Sequence, residues 1–378
     1  MKVDVRGLEL AYGDFVAIKN LDLTIEDGQS VVLLGQSGCG KTSTMRCIAG
    51  LETPTQGTIS IGQKQVYDGE RGITVPAFRR NVGMVFQSYA VWPHRTVLEN
   101  VAFPLQTKGV SKQQRRREAL EVLDTVGLAH LADRGASLLS GGQMQRVALA
   151  RSMAMSPSVL LLDEPLSNLD ARLRDDLRVE LRRIQVERGL TSMYVTHDQQ
   201  EALALADRIA IMQEGRITQS GTPQEIYSRP ASASIAAFLG VTNIFEVKPG
   251  STPRSLELVG HPVSLRSVQT MPGGSASSVC IRPEDVRVEP APTADDGEKT
   301  NTFEGTVEVA VFQGASIRCK VTTDTGLALE AVCPPPAAGQ LARGARVVAS
   351  VAPERVMVLP DSTPETAAAS DRQAVSAA

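Results

Sequence analysis

Up to about Leu239 the chain alternates short, wholly apolar runs with stretches whose apolar residues recur at helical spacing. Three of the runs, Val31 to Leu34, Val82 to Phe86 and Val159 to Leu162, lack polar alternation and read as buried strands of a largely parallel sheet. Between the last two lies a helix-rich stretch. In it Ser111 is the expected N-cap of a helix reaching about Val126, with Leu120 and Leu123 on its inner face. The basic start of that helix, Lys112 with Arg115, Arg116 and Arg117, reads as a solvated face. After Gly240 the pattern shortens to alternating runs, Phe303 to Phe312, Ser316 to Val321 and Arg346 to Val351, broken by Gly and Pro. That predicts a small all-β domain behind an α/β domain. Pro290 to Thr302 reads as a surface loop, Asp361 to Ala378 as a disordered tail without apolar period, and no internal repeat is visible.

Composition narrows the function classes. The 378 residues carry 39 basic and 42 acidic side chains, a net charge of -3, which disfavours nucleic acid as the main ligand. The length fits two or three domains. No apolar run approaches the roughly 18 residues of a membrane-crossing helix, and the N-terminus shows no secretory pattern, so a cytoplasmic location is expected. Five cysteines, Cys39, Cys47, Cys280, Cys319 and Cys333, are scattered without CxxC spacing and read as free, mostly buried thiols.

The strongest chemical signal is Gly35-Gln36-Ser37-Gly38-Cys39-Gly40-Lys41-Thr42, which fits GxxxxGK[ST] directly after one apolar strand and before a helical run. The four fixed positions recur by chance in about 1 chain in 100 of this length. In such a loop backbone N–H groups and a helix N-terminus receive phosphate oxygens, Lys41 reaches the β and γ phosphates, and Thr42 offers its hydroxyl to Mg²⁺. The strand Val159 to Leu162 then delivers two adjacent carboxylates. Because neighbouring strand residues point to opposite sides, Asp163 is expected to hold the Mg²⁺ shell and Glu164 to polarise the attacking water.

Four further stretches resemble the ATP-binding cassette (ABC) ATPases over most of residues 3 to 240. Leu139-Ser140-Gly141-Gly142-Gln143 resembles the family signature, Gln87 its glutamine switch, Ser167-Asn168-Leu169-Asp170 its D-loop, and His197 its switch histidine. The resemblance implies an α/β P-loop NTPase with an inserted helical subdomain at about 88–155. It also implies Tyr12 stacked on adenine, Ser43 binding ATP together with Gly35 to Thr42, and Mg²⁺ held by Thr42, Gln87 and Asp163. The catalytic set becomes Glu164, His197 and Gln87. Ser140, Gly141, Gly142, Gln143 and Asp170 would reach the ATP of a second copy in a head-to-tail homodimer. Many members have proline where this chain has Ala136, an exchange expected to loosen the loop before the signature. Trp92, within Ala90-Val91-Trp92-Pro93-His94, falls where the family borders its groove for a transmembrane partner.

The C-terminal part resembles the OB-like (TOBE) barrels of bacterial importer ATPases, especially at Val279-Cys280-Ile281-Arg282-Pro283-Glu284-Asp285 and Gly305-Thr306-Val307-Glu308. The resemblance therefore implies an ATP- and Mg²⁺-dependent importer ATPase in two domains, 1–240 and 241–360, with a tail at 361–378. It would sit on the cytoplasmic face of the inner membrane with two permease subunits and an extracytoplasmic solute-binding protein, and with no nucleic acid. The stretch at Ala90 to His94 and Asn243 look most like ferric-iron and polyamine importers, then sugar importers. The competing expectation is an ABC ATPase serving as a regulatory or nucleic-acid-linked switch, against which the near-neutral charge weighs.

Overall fold

The computed structural model describes residues 1–252, 254–270, 277–291, 301–334 and 341–361, and in it the chain divides between Ser228 and Arg229. The division falls before Gly240 rather than after it. The reason is the short helix Ala233–Phe238, whose Ala233 and Ala236 share a small core with Val241 and Cys280. Most of the expected loop between Pro290 and Thr302, and the expected tail after Asp361, lie outside the described residues.

The first unit begins with β1 (Val3–Tyr12), β2 (Phe15–Ile25), β3 (Ser30–Leu34), α1 (Lys41–Ala49), β4 (Gln56–Ile61), β5 (Lys64–Asp68), β6 (Ile73–Thr74) and β7 (Val82–Val85). Three helices follow, α2 (Val97–Thr107), α3 (Lys112–Thr125) and α4 (Gly141–Met153). The unit closes with β8 (Val159–Asp163), α5 (Ala171–Arg188), β9 (Ser192–Thr196), α6 (Gln199–Leu205), β10 (Arg208–Gln213), β11 (Arg216–Gly221) and α7 (Pro223–Ser228). One sheet, β2-β1-β4-β5-β6, is antiparallel; the other has the order β11-β10-β3-β9-β8-β7, parallel from β10 to β7 with β11 as an antiparallel edge. β3, β8 and β9 are buried at every position, so polar alternation has no place in them. Val5, Ile18, Leu33, Met45, Ile48 and Leu161 belong to one core that joins both sheets and α1. Each such side chain contributes roughly 1.5–3 kcal/mol by leaving water.

The helical stretch begins where its caps demand. Ser111 accepts from the Gln114 N–H at the start of α3, and Thr96 and Ser140 form reciprocal capping boxes with Glu99 and Gln143 at the starts of α2 and α4. Ala119 and Leu123 form the inner face of α3, whereas Leu120, expected there, is only half-buried. Ala136 does not loosen its loop: its side chain is buried and its N–H donates to the Arg95 carbonyl at 2.9 Å, a bond that proline could not make.

The second unit holds α8 (Ala233–Phe238), β12 (Asn243–Pro249), β13 (Ser255–Leu258), β14 (Ser264–Arg266), β15 (Ser277–Ile281) and β16 (Val286–Pro290). It continues with β17 (Thr302–Phe312), β18 (Ile317–Thr323), β19 (Ala328–Cys333), β20 (Arg346–Val351) and β21 (Met357–Pro360). Two five-stranded sheets, β14-β13-β12-β15-β21 and β16-β20-β17-β18-β19, share one core that includes Val279, Val321, Leu329 and Val347. A short internal repeat, unseen in the sequence, joins them. Arg282-Pro283-Glu284-Asp285-Val286 and Ala352-Pro353-Glu354-Arg355-Val356 each make a strand, a 3₁₀ turn and a strand. Cys280 pairs with Met357 and Val286 with Val351, so one register crosses from sheet to sheet. The Arg355 Nε lies 3.5 Å from the Asp285 carboxylate between the two turns.

Asn243 is consumed by this fold. Its buried amide nitrogen donates to the Ile281 carbonyl at 3.2 Å and the Glu330 carbonyl at 2.9 Å, and its oxygen accepts from the Glu330 N–H at 2.7 Å, joining β12 to the opposite sheet. Asn243→Ala strands these three groups in the interior. We expect a loss of about 2–4 kcal/mol in urea unfolding followed by far-UV circular dichroism; an unchanged midpoint would show that the amide is dispensable.

Candidate active site

Parallel strands deliver their carboxyl ends to one edge of a sheet, and four adjacent strands do so here. Leu34 pairs with Thr196, Val195 with Asp163, and Leu162 with Val85, so β3, β9, β8 and β7 leave the sheet at one level. The 35–40 loop follows β3, His197 follows β9, Glu164 follows β8, and Gln87 lies two residues beyond β7, after the partly exposed Phe86.

The loop's glycines answer steric demands. A Cβ on Gly35 would stand 2.3 Å from the Met212 carbonyl oxygen; Gly40 has φ 102°, and a Cβ there would meet the Ala17 carbonyl oxygen at 2.7 Å. Gln36, Ser37 and Gly38 are exposed, while Cys39 is buried. Gly40 is also the N-cap of α1 and offers no side-chain cap, so the first-turn N–H groups remain open to an anion. Lys41 is buried, with its ammonium 2.9 Å from the Gly35 carbonyl and 2.8 Å from the Gln36 carbonyl. The loop itself thus holds a desolvated cation in place. At the end of β1, Tyr12 is 51% exposed and its hydroxyl donates to Glu52 at 2.5 Å, which with burial pushes the phenol up; the nearby Ser43 hydroxyl acts the other way. Glu52 in turn meets Arg46 at 3.3 Å.

The two carboxylates part company at the end of β8. The Thr42 hydroxyl donates to Asp163 at 3.0 Å. Burial holds the Asp163 carboxyl above its ordinary 3.8, with the Thr42 bond opposing. Glu164 is not the next residue of a pleated strand: its φ is 43°, and this left-handed backbone, rather than strand alternation, aims its side chain. One carboxylate oxygen lies 3.2 Å from the Gln87 amide nitrogen and the other 3.1 Å from His197 Nδ1. Held by two donors, the carboxylate keeps lone pairs free to take a proton from a water.

Two residues of the D-loop stretch have intrachain partners that its pattern does not show: the Ser167 hydroxyl donates to the Glu164 carbonyl at 3.0 Å, and the Asn168 amide donates to the Gln87 carbonyl at 2.9 Å. Other supports escaped sequence reasoning altogether. The buried Glu201 accepts from Thr196 at 2.7 Å, and Asp198 caps α6, fixing the loop that carries His197. Glu52 stands just past the C-cap Gly50, where no spacing rule marks it. By contrast, the hydrogen bonds of Ser140 and Gln143 stay in the first turn of α4, and Asp170 caps α5. Gly142 is buried, and a Cβ there would strike the Leu173 side chain at 2.8 Å.

Thr42 and Asp163 form a hydroxyl and carboxylate pair, the hard-oxygen set that Mg²⁺ takes together with phosphates and water. Among the described residues no cluster of three or more His, Cys, Asp or Glu could hold a metal by itself. A cation here would also relieve the buried charge of Asp163, so the residues fit Mg²⁺.

The model of the ABC transporter family matches residues 18–167, and that of the TOBE domain residues 279–359. Over 320 residues, 83% of this chain and 86% of the relative, the sequence is 45% identical to the Fe(3+) ions import ATP-binding protein of Brucella melitensis. Over 229 residues, 61% of this chain and 62% of the relative, it is 50% identical to the trehalose/maltose import ATP-binding protein of Thermococcus litoralis. Among solved structures, CbiO1 of Clostridium perfringens, part of an ABC transporter complex, has a TM-score of 0.55 at 30% identity and covers 60% of this chain and 90% of its own. A dimeric ATP-binding cassette in a post-hydrolysis state with ADP and Pi has a TM-score of 0.51 at 32% identity, covering 58% and 98%.

The buried Asp163 makes one prediction. Its raised pKa means that the folded chain holds a proton more readily than the unfolded chain. Its favourable contribution is complete below 3.8 and is lost as pH rises through the raised value. Asp163→Asn, always neutral, is therefore expected to melt above the wild type near pH 7 without nucleotide. The difference should close by about pH 4. Differential scanning fluorimetry reads both, and a lower Tm for the variant at neutral pH would contradict the assignment.

Proposed function

Because the chain belongs to the ABC transporter family, among its import ATP-binding subunits with a TOBE domain, we propose that it drives ferric-iron uptake through a separate membrane permease. The chain is an ATPase by that membership. In our reading it acts as a homodimer that closes around ATP and opens after hydrolysis.

The observation that carries the mechanism is the Glu164 carboxylate held between Gln87 and His197, beside the Thr42–Asp163 pair. ATP would lay its purine on Tyr12 and its phosphates in the loop Gly35 to Gly40, against the open N-terminus of α1. Lys41 would exchange the two loop carbonyls for phosphate oxygens, and Ser43 would stay beside the loop. Thr42, Asp163 and Gln87 would hold Mg²⁺, which when bound neutralises charge on the β and γ phosphates. Glu164 takes the proton of the water attacking the γ-phosphorus in line. His197 keeps the carboxylate turned toward that water and faces the transferred phosphoryl group.

Two copies are supported by a second anion-ready surface. Ser140, Gly141, Gly142 and Gln143 open α4, and Asp170 opens α5, away from any hydrogen bond to the 35–42 loop among those described. The dimeric cassette among the similar structures is consistent with head-to-tail use of that surface. Among the described residues no helix is long and apolar enough to cross a membrane. Spanning therefore falls to two permease subunits, with an extracytoplasmic solute-binding protein delivering cargo and this chain held peripherally on the cytoplasmic face. Ferric iron is favoured because the relative named for it matches over 320 residues, against 229 for the sugar relative.

Glu164→Gln should keep ATP affinity and lower turnover about 10²–10⁴-fold. Lys41→Ala should instead weaken ATP binding, read by equilibrium titration. In cells, ferric-iron uptake should fall with Glu164→Gln while polyamine and maltose uptake stay level. Loss of polyamine or maltose uptake instead would reassign the cargo, and wild-type turnover would remove Glu164 as the base.

A further inference from the structure

The segment after Gln87 is held in a costly conformation. Tyr89 and Ala90 are consecutive non-glycine residues with φ 60° and 48°, in the left-handed region. The Tyr89 ring is buried, and its hydroxyl finds no hydrogen-bond partner among the described residues. Such a backbone persists only where its surroundings over-determine it.

One side chain does so. Arg151, in the last turn of α4, donates from Nη1 to the Ala90 carbonyl at 2.6 Å and from Nη2 to the Tyr89 carbonyl at 2.9 Å. The fork of a guanidinium suits two successive carbonyls, as a lysine ammonium does not. The same guanidinium lies 4.9 Å from the ring centre of Trp92. Trp92 is fixed in turn: its backbone N–H donates to the Asn100 side-chain oxygen of α2 at 2.9 Å, its ring meets Phe103 edge-on at 4.6 Å, and Arg95 covers both rings at 5.3 and 5.1 Å. Arg151 therefore ties the glutamine loop to the helical lobe at the far end of the helix that Ser140 opens, roughly 16 Å along its axis.

We propose that Arg151 is a positioning residue for hydrolysis: it imposes the left-handed backbone of Tyr89 and Ala90, sets Gln87 within reach of Glu164, and passes displacement of α4 to the glutamine loop. Assigning it this role rests on the assignment of Gln87 and Glu164 to hydrolysis. The guanidinium touches neither, so its effect runs through the backbone alone.

The test uses the full-length chain, with steady-state ATPase kinetics and the emission of Trp92, the single tryptophan. Arg151→Met should lower kcat about tenfold or more while KM for ATP stays within about twofold. Arg151→Lys, which keeps the charge but not the fork, should fall between Arg151→Met and the wild type. The distinguishing variant is Ala90→Gly. Glycine adopts positive φ without strain, so Ala90→Gly should restore most of the kcat lost in Arg151→Met. A merely structural Arg151 would scale activity with the folded fraction, and glycine would rescue nothing. ATP should change Trp92 emission in the wild type and not in Arg151→Met. Wild-type kcat in Arg151→Lys together with an unaltered Trp92 response overturns the proposal, as does failure of glycine to rescue. Wild-type kcat in Gln87→Ala contradicts the site assignment instead, and the Trp92 response then still decides whether Arg151 holds the loop.

Discussion

A fully buried strand that ends in two carboxylates sets the terms for the rest of the first unit. All five residues of β8 are buried, Asp163 being the last, and an ionised carboxylate is tolerated there only where polar partners meet it. Asp163 is met by Thr42, the first residue past the phosphate-loop lysine. Glu164 turns out of the sheet through a left-handed backbone and is met by Gln87 and His197. These partners come from three other strand ends, and the parallel register brings them to one level. The sheet works as a ruler for the site.

The same logic of satisfied polar groups runs through the supports. Lys41 is buried against carbonyls of its own loop, so the site holds an oriented cation and an uncapped helix end before any phosphate arrives. Thr196, Glu201 and Asp198 lock the turn before α6, and Arg174 reaches Asp198 at 3.5 Å. In the second unit Asn243 is one of several buried polar residues, and its amide ties the two sheets together. Local devices at a few positions thus hold geometry that hydrophobic burial alone leaves free.

Much of this was legible in the chain itself. Two of the apolar runs are the fully buried β3 and β8; the third is β7, which stops at Val85, is buried at alternate positions only and leaves Phe86 exposed. Ser111 caps α3, and GxxxxGK[ST] opens α1 where a strand meets a helix. Those features are local and carry their own periodicity or capping chemistry. What escaped was set by tertiary contact. The direction of Glu164 depends on its positive φ, not on strand alternation, and the tether at Ala136 depends on a carbonyl forty-one residues earlier in the chain, at Arg95. The repeat around Pro283 and Pro353 spans only five residues, and its equivalence appears only once the two turns share a register. The role of Arg151 is not legible in the sequence because its partners are backbone carbonyls, which no side-chain pattern records.

In the proposed mechanism Gln87 and His197 act on hydrolysis through the Glu164 carboxylate they hold. A double-mutant cycle on kcat separates this from independent action, because residues acting as a unit are not additive. Gln87→Ala and His197→Ala should each lower kcat strongly in the wild-type chain and have almost no further effect once Glu164 is Gln. If their losses instead multiply with that of Glu164→Gln, the three groups act independently and the account of the site is wrong.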